Sequence, residues 1–290
     1  MISIPPKPQP RTVQSLHPWH PQRLPKWRSM SINLGRLCQN GAAIFADTYS
    51  YLDDGSARRD HKIFRFNGKD IAFIIADASN DADAAKTLAN RIATHLRPAK
   101  KWKDVEKVVF ADMAKWRKAY SPDTPPRTVF TAAIMLKGDK PELGLFTLEP
   151  PQTFIAHHDG YIAHGIACDR ANSIYDLLFS PHPQLDRQAV LRESAYILSR
   201  VKAGNVFCRG IDAYFLDSKT QTTRHIDLRD IEAAIKASFQ LDGVLWMASL
   251  ATLQPKGKYF DHNVQAVGHL ITDSDQLRDV IFHDVTGEIL

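Results

Sequence analysis

Residues 31–47 read SINLGRLCQNGAAIFAD and contain the pattern that decides the fold. Two strand-like apolar runs flank the pair Asn40-Gly41. An Asn-Gly pair in this position is a strong hairpin signal, because a type I′ turn needs positive φ at both central residues. The segment predicts a tight β-hairpin on Asn40-Gly41, and this register places Asp47 opposite Leu34, near the start of the first strand.

The same pattern recurs along the chain and alternates with helical segments. Apolar residues repeat at helical spacing in 85–96, 105–120, 171–179, 190–201 and 231–235. Strand pairs that alternate with helix pairs predict an α+β fold, a four-layer αββα sandwich of two antiparallel sheets flanked by helices. Four further hairpins are predicted, the first two on tight Asn67-Gly68 and Asp159-Gly160 turns: 62–66 with 69–76, 154–158 with 161–165, 128–136 with 143–148, and 211–216 with 223–227.

The charge of the chain is concentrated in its first thirty residues. The net charge is +5, and residues 1–30 supply five basic side chains, no acidic one and seven of the 17 prolines. A proline-rich stretch cannot build a hydrogen-bonded ladder. We interpret 1–30 as a basic tail or propeptide, or as a mis-assigned start before Met30, followed by a domain over 31–240 and an extension of unassigned role over 241–290. The body is neutral, so no nucleic-acid partner is expected.

Cysteine use and hydropathy indicate the compartment. The chain has three cysteines, Cys38, Cys168 and Cys208. An odd number of cysteines without the spacing of metal ligands is typical of reduced thiols in the cytoplasm. No apolar run approaches the roughly 18 residues of a membrane span, and the N-terminal segment lacks the apolar region of a signal peptide. A cytoplasmic location without a membrane partner is therefore predicted.

The order of these elements over residues 31–240 resembles proteasome β-subunits and their bacterial ring-peptidase relatives, which are N-terminal-nucleophile (Ntn) hydrolases. That family has its nucleophile at the mature N-terminus and an acidic residue sixteen positions later, as Ser31 and Asp47 are spaced here. Lys62 begins a segment similar to the strand of the catalytic lysine. Residues 76–82 resemble the family's small-residue turn and helix start, and 210–216 and 225–236 resemble its late strands and last helix.

The resemblance implies a catalytic scheme. Ser31 would be the nucleophile once residues 1–30 are removed, because only a free α-amine, with an ordinary pKa of about 7.7, can accept its proton. Lys62 would favour the alkoxide and lower the pKa of that amine, Asp47 would pair with Lys62, and the backbone amide of Asp77 would be an oxyanion donor. The family also implies amide hydrolysis of unfolded polypeptide in a homo-oligomeric ring, an ATPase partner, and neither metal nor cofactor.

Departures from the family pattern keep two alternatives open. Ser31 stands where the family usually has threonine, Asp77 stands where it usually has glycine, and residues 166–168 replace a Ser-Gly run. One alternative is therefore an inactive ring or interaction subunit. The other is a PPM-type metal-dependent phosphatase of the same architecture, in which Asp47, Asp77 and Asp212 would hold two divalent ions.

Overall fold

The computed structural model describes residues 31–51, 57–121, 126–178, 185–203, 210–237 and 242–243. The predicted tail (1–30) and nearly all of the predicted extension (241–290) lie outside the described residues. The strands are β1 Ile32–Cys38, β2 Gly41–Ala46, β3 Tyr49–Tyr51, β4 Ala57–Arg59, β5 Ile63–Asn67, β6 Ile71–Ser79, β7 Thr128–Leu136, β8 Glu142–Glu149, β9 Thr153–Ala156, β10 Tyr161–Gly165, β11 Asp212–Asp217 and β12 Thr222–His225. The helices are α1 Ala82–Leu96, α2 Trp102–Lys118, α3 Cys168–Leu178, α4 Arg187–Ala203 and residues 228–237.

Ten of these strands form two antiparallel sheets. Sheet 1 has the order β10-β1-β2-β11-β12, and sheet 2 has the order β5-β6-β7-β8-β9. Helices α3 and α4 pack on the outer face of sheet 1, and α1 and α2 pack on the outer face of sheet 2. The inner faces meet in a third apolar cluster that includes Ile44, Ile74, Leu145 and Ile162. The predicted αββα sandwich is confirmed.

Both faces of the central strands are buried, and each face carries its own residue set. In β6, Ile71, Phe73 and Ile75 pack towards the helices, whereas Ala72 and Ile74 pack towards sheet 1. This is the period of two expected for a strand. In β1, Gly35 lies on the inner face, where a Cβ atom would be 2.7 Å from Leu145 Cδ1. The close approach of the two sheets therefore depends on a residue without a side chain.

The first hairpin forms, but its register differs from the prediction. Cys38 pairs with Gly41, so the turn residues are Gln39 and Asn40. Gly41 lies in β2 instead, where a Cβ would be 2.2 Å from the carbonyl oxygen of Leu216 in β11. The close approach of β11 explains why this residue is glycine. A rule for local turns does not take such a distant strand into account. As a result Asp47 lies opposite Ile32 and not Leu34, and its N–H donates to the Ile32 carbonyl at 3.1 Å.

The predicted hairpin on Asp159-Gly160 is wrong. Strand β9 pairs with β8 in sheet 2, and β10 pairs with β1 in sheet 1, so this turn carries the chain from one sheet to the other. Gly160 has φ of 75°, which explains the glycine, and its carbonyl accepts the N–H of Leu37. A turn signal fixes a reversal of direction but not the sheet in which each arm finds its partner.

The remaining local predictions are confirmed with shifted ends. Strands β7 with β8 and β11 with β12 form hairpins, and β5 pairs with β6 through a loop longer than the predicted two residues, since Asn67 pairs with Ala72. Asp81 caps α1 by accepting the N–H of Ala84 at 2.9 Å. In the part of the chain that the structure describes, no helix has the length and hydropathy needed to cross a membrane.

The packing of Gly41 against β11 gives a stability prediction. We expect Gly41→Ala to lower the free energy of unfolding by about 2 kcal/mol or more, because the new methyl group meets backbone that cannot move without breaking the β2–β11 pairing. Gly138→Ala is the matched control, since its Cβ would meet nothing within 4 Å. Urea unfolding of both variants tests the difference, and equal midpoints would contradict it.

Candidate active site

Ser31 directly precedes β1 and is 5% exposed. Its carbonyl oxygen accepts the N–H of Ile166 at 3.0 Å, just beyond the end of β10. Gly165 in β10 has φ of 114°, and a Cβ there would lie 1.8 Å from the Ser31 carbonyl oxygen. Only glycine allows this approach, so the segment after β10 fixes the backbone of Ser31 from one side.

Lys62 directly precedes β5 and crosses from sheet 2 to sheet 1. Its Nζ lies 2.8 Å from Ser31 Oγ and 2.8 Å from Asp47 Oδ2, and it also donates to the Tyr49 carbonyl oxygen. A lysine ammonium has three donors, and each is used here. The predicted trio of Ser31, Asp47 and Lys62 is thus brought together, and all three residues are buried.

Asp47 follows the end of β2 and joins two elements of the site. Oδ1 accepts the N–H of Ile32 at 2.8 Å, while Oδ2 is held by Lys62. Burial raises the pKa of Asp47 to about 6, although the nearby Lys62 charge and the hydrogen bonds act to lower it. Asp47 therefore fixes both the start of β1 and the position of the Lys62 ammonium.

A polar layer lies beneath Ser31 between the two sheets. Asn33 Nδ2 donates to the Ala76 carbonyl at 3.2 Å, and Thr131 Oγ1 donates to Asn33 Oδ1 at 2.6 Å. On the neighbouring strands, Thr147 Oγ1 lies 2.8 Å from His157 Nε2 and 2.9 Å from His164 Nε2.

No motif in the sequence predicts this layer. Its signal is the occurrence of Asn, Thr and His at inward positions of otherwise apolar strands. Burial lowers the pKa of His157 and lowers that of His164 to about 4, so both rings are neutral near pH 7. His158 is exposed, so the adjacent histidines 157 and 158 do not converge.

Asp77 does not provide the predicted free oxyanion amide. Strand β6 continues to Ser79, so residue 77 lies inside the sheet, and its N–H donates to the Lys62 carbonyl at 3.1 Å. Its carboxyl is buried in the same region. Burial raises the pKa of Asp77 to about 7, with the charge of Lys62 acting in the opposite direction.

The three-carboxylate site of the phosphatase alternative is not assembled. Asp212 Oδ1 accepts the N–H of Ala213 and lies 2.8 Å from His225 Nε2. Within the described ranges, no group of three or more His, Cys, Asp or Glu side chains is placed to hold a metal ion. Asp212 therefore does not join Asp47 and Asp77 in a ligand set.

Comparisons with known proteins identify the fold. No protein-family model matches the sequence, and no curated protein sequence matches it. Among solved structures, an Anbu (Gly-1) mutant from Hyphomicrobium sp. strain MC1 matches with a TM-score of 0.63 at 16% identity, covering 79% of this chain and 98% of that one. Anbu, an ancestral β-subunit, from Yersinia bercovieri matches with a TM-score of 0.62 at 13% identity, covering 78% and 97%.

A third match bears on assembly in that protein. The helical assembly of the Anbu complex from Pseudomonas aeruginosa matches with a TM-score of 0.59 at 13% identity, covering 74% of this chain and 95% of that one. The assignment to proteasome β-subunits and bacterial ring peptidases is therefore wrong: the similar structures are Anbu proteins, which are proteasome-like but distinct. At these identities the likeness establishes the fold that this chain shares with Anbu proteins and nothing finer.

The buried charges predict how stability depends on pH. The folded-state pKa values of Asp47 and Asp77 are raised to about 6 and about 7, above the ordinary 3.8. Their contribution to stability is complete below pH 3.8 and is lost as the pH rises through 6 and 7. Lys62→Met should therefore destabilise the protein by about 3–5 kcal/mol at pH 8, where both carboxylates lose their cation, and by much less at pH 5.

Thermal unfolding of the unaltered protein and of Lys62→Met, at pH 5 and at pH 8, measures the loss of stability at each pH. The control is Lys107→Met on α2, because that lysine is exposed. A loss for Lys62→Met that is equal at the two pH values would contradict the assignment of the charges.

Proposed function

We propose that the chain is an Ntn hydrolase that cleaves peptide or amide bonds with Ser31 after removal of residues 1–30. The observation that supports this most strongly is the position of Lys62 Nζ, 2.8 Å from both Ser31 Oγ and Asp47 Oδ2. A buried cation in contact with a serine hydroxyl favours the negative oxygen that must form when the serine attacks. An ordinary structural serine has no need of such a partner.

The proposed reaction uses Ser31 as both nucleophile and base. The free α-amine takes the proton from Oγ while Oγ bonds to the carbonyl carbon of the substrate. The amine then returns the proton to the leaving nitrogen as the C–N bond breaks, which leaves an acyl ester on Ser31. Water hydrolyses the ester through the same amine and releases the acid. Lys62 stabilises the negative charge near Oγ, and Asp47 holds Lys62 in place.

Processing at the Met30–Ser31 bond is part of the proposal. While Met30 is attached, the nitrogen of Ser31 is an amide and cannot serve as a base. Self-cleavage by the same hydroxyl, or removal of Met30 by an aminopeptidase if translation starts there, would free the amine. Both routes end in a chain that begins at Ser31.

The proposal also includes self-assembly in the cytoplasm. An Anbu protein with this fold forms a helical assembly, and an assembly of this chain, as a ring or a helix, would enclose the site. The substrate class that suits an enclosed site is unfolded polypeptide, delivered by an ATPase partner where one is present.

One observation favours a second candidate, a catalytically silent assembly subunit. The N–H of Asp77 donates to the Lys62 carbonyl, and the buried carboxyl of Asp77 occupies the region in which an oxyanion donor was expected. A subunit of this kind would keep the sandwich and its contacts and would not turn over substrate.

The role of Ser31 is tested with a chain that starts at Met30. We expect it to lose Met30 and to hydrolyse a small peptide amide, and we expect Ser31→Ala to lose that activity entirely because no hydroxyl remains. Ser31→Thr should keep part of the activity, and Ser173→Ala, at an exposed helical serine, should keep all of it. Intact mass and fluorogenic peptide assays measure both steps. A free Ser31 without activity on a broad peptide panel would favour the silent subunit.

Self-assembly is tested by sedimentation of the purified full-length chain at micromolar concentration. We expect species several times heavier than the 32.7 kDa chain. A single species at 32.7 kDa would contradict the assembly, whether or not the protein is active.

A further inference from the structure

Asp77 lies in direct register with Lys62. Ile63 pairs with Ala76, and the N–H of Asp77 donates to the carbonyl of Lys62, so the two residues are cross-strand neighbours. Side chains of such a pair leave the same face of the sheet with Cβ atoms about 5 Å apart. The Asp77 carboxyl is therefore placed beside the lysine that contacts Ser31.

Lys62 has no hydrogen-bond donor left for this carboxyl. Its three donors go to Ser31 Oγ, Asp47 Oδ2 and the Tyr49 carbonyl. Asp77 is 4% exposed, and its carboxyl is not among the three acceptors of Lys62. Lys62 could hydrogen-bond to an ionised Asp77 only by giving up one of these three acceptors.

The other charges around Asp77 are unfavourable to its ionised form. Burial is the main cause that raises its pKa, and Asp60, ahead of β5, and Asp47, after β2, raise it further. On β7 the residue opposite is Phe130, which carries no charge. On the α1 side, the Asp81 carboxyl caps the helix and Asp83 is exposed. Among the described residues, Lys62 is the cation that acts on Asp77, and its ammonium group is already bonded to Asp47.

We propose that Asp77 is a positioning residue of the Ser31 site, and that its carboxyl must be neutral for Lys62 to keep its contact with Ser31. The site therefore reacts in mildly acidic to neutral solution and loses its reactivity at alkaline pH. This inference rests on the proposed function. When Asp77 loses its proton, the carboxylate competes for Lys62 and opposes the negative charge that develops on Ser31 Oγ. Even at about 10 Å, a unit charge in a medium of effective dielectric constant about 20 changes a rate by about tenfold.

The raised pKa of about 7 sets where this change occurs. An asparagine at position 77 keeps the size and stays neutral at every pH. Asp77→Asn should therefore retain, at pH 8.5, the reactivity that the unaltered protein shows at pH 6 and loses at alkaline pH.

The experiment measures labelling of Ser31 by a fluorophosphonate probe from pH 5 to pH 9. It uses the full-length protein and Asp77→Asn, with the processed N-terminus verified by intact mass. We expect labelling of the unaltered protein to fall about tenfold or more between pH 6 and pH 8.5, and that of Asp77→Asn to stay flat or rise. Asp112→Asn is the control, because Asp112 is equally buried but lies on α2. Its profile should follow the unaltered protein, and the same fall in Asp77→Asn would overturn the inference.

A second measurement separates this inference from the proposed function. Because the folded-state pKa of Asp77 is raised, its ionisation destabilises the fold as the pH rises, and Asp77→Asn should gain thermal stability over the unaltered protein at pH 8 but not at pH 5. If neither protein is processed or labelled at any pH, the proposed function fails. The difference in thermal stability between Asp77→Asn and the unaltered protein then shows whether the Asp77 carboxyl changes its protonation state between pH 5 and pH 8. A difference that is the same at both pH values overturns the inference.

Discussion

The ammonium group of Lys62, held between the two sheets, is the constraint on which the site depends. The lysine comes from sheet 2, while Ser31 and Asp47 come from sheet 1. A buried charge is tolerated only when it is paired and hydrogen-bonded, and Lys62 satisfies this with three acceptors. The starts of β1 and β5 and the end of β2 are consequently fixed relative to one another. One interaction therefore joins the sandwich at this end and sets the environment of the serine hydroxyl.

The space between the two sheets is apolar in its middle and becomes polar next to the Ser31 site. Its middle is apolar and tightly packed, and the absence of a side chain at Gly35 allows the close approach there. Next to the site, Asn33 links the two sheets through Thr131 and the Ala76 carbonyl. A polar layer of this kind is stable only when its members satisfy one another. It fixes the backbone of β1 next to Ser31 relative to sheet 2.

The hydrolase and the silent subunit differ in whether the site stabilises negative charge. Attack by Ser31 requires negative charge to be stabilised next to Lys62, whereas Asp77 adds a carboxyl and its backbone N–H is already engaged. A neutral Asp77 reconciles the two observations, since it leaves Lys62 to Ser31 and Asp47. The protonation state of one side chain would thus separate a reactive site from a silent one with the same fold.

The sequence by itself determined the αββα layers and the helices, because hydrophobic periods and turn residues are local. A resemblance led us to expect Ser31, Asp47 and Lys62 together, and the contacts of Lys62 across the two sheets bring them into one place. The tertiary structure decided what depends on distant strands. Gly41 is required by β11 and not by its own turn, and the turn at Asp159-Gly160 joins two sheets because β10 finds its partner in β1. The loss of the Asp77 amide as a free donor and the polar layer through Asn33 and Thr147 also follow from pairings between residues far apart in sequence, which no local pattern specifies.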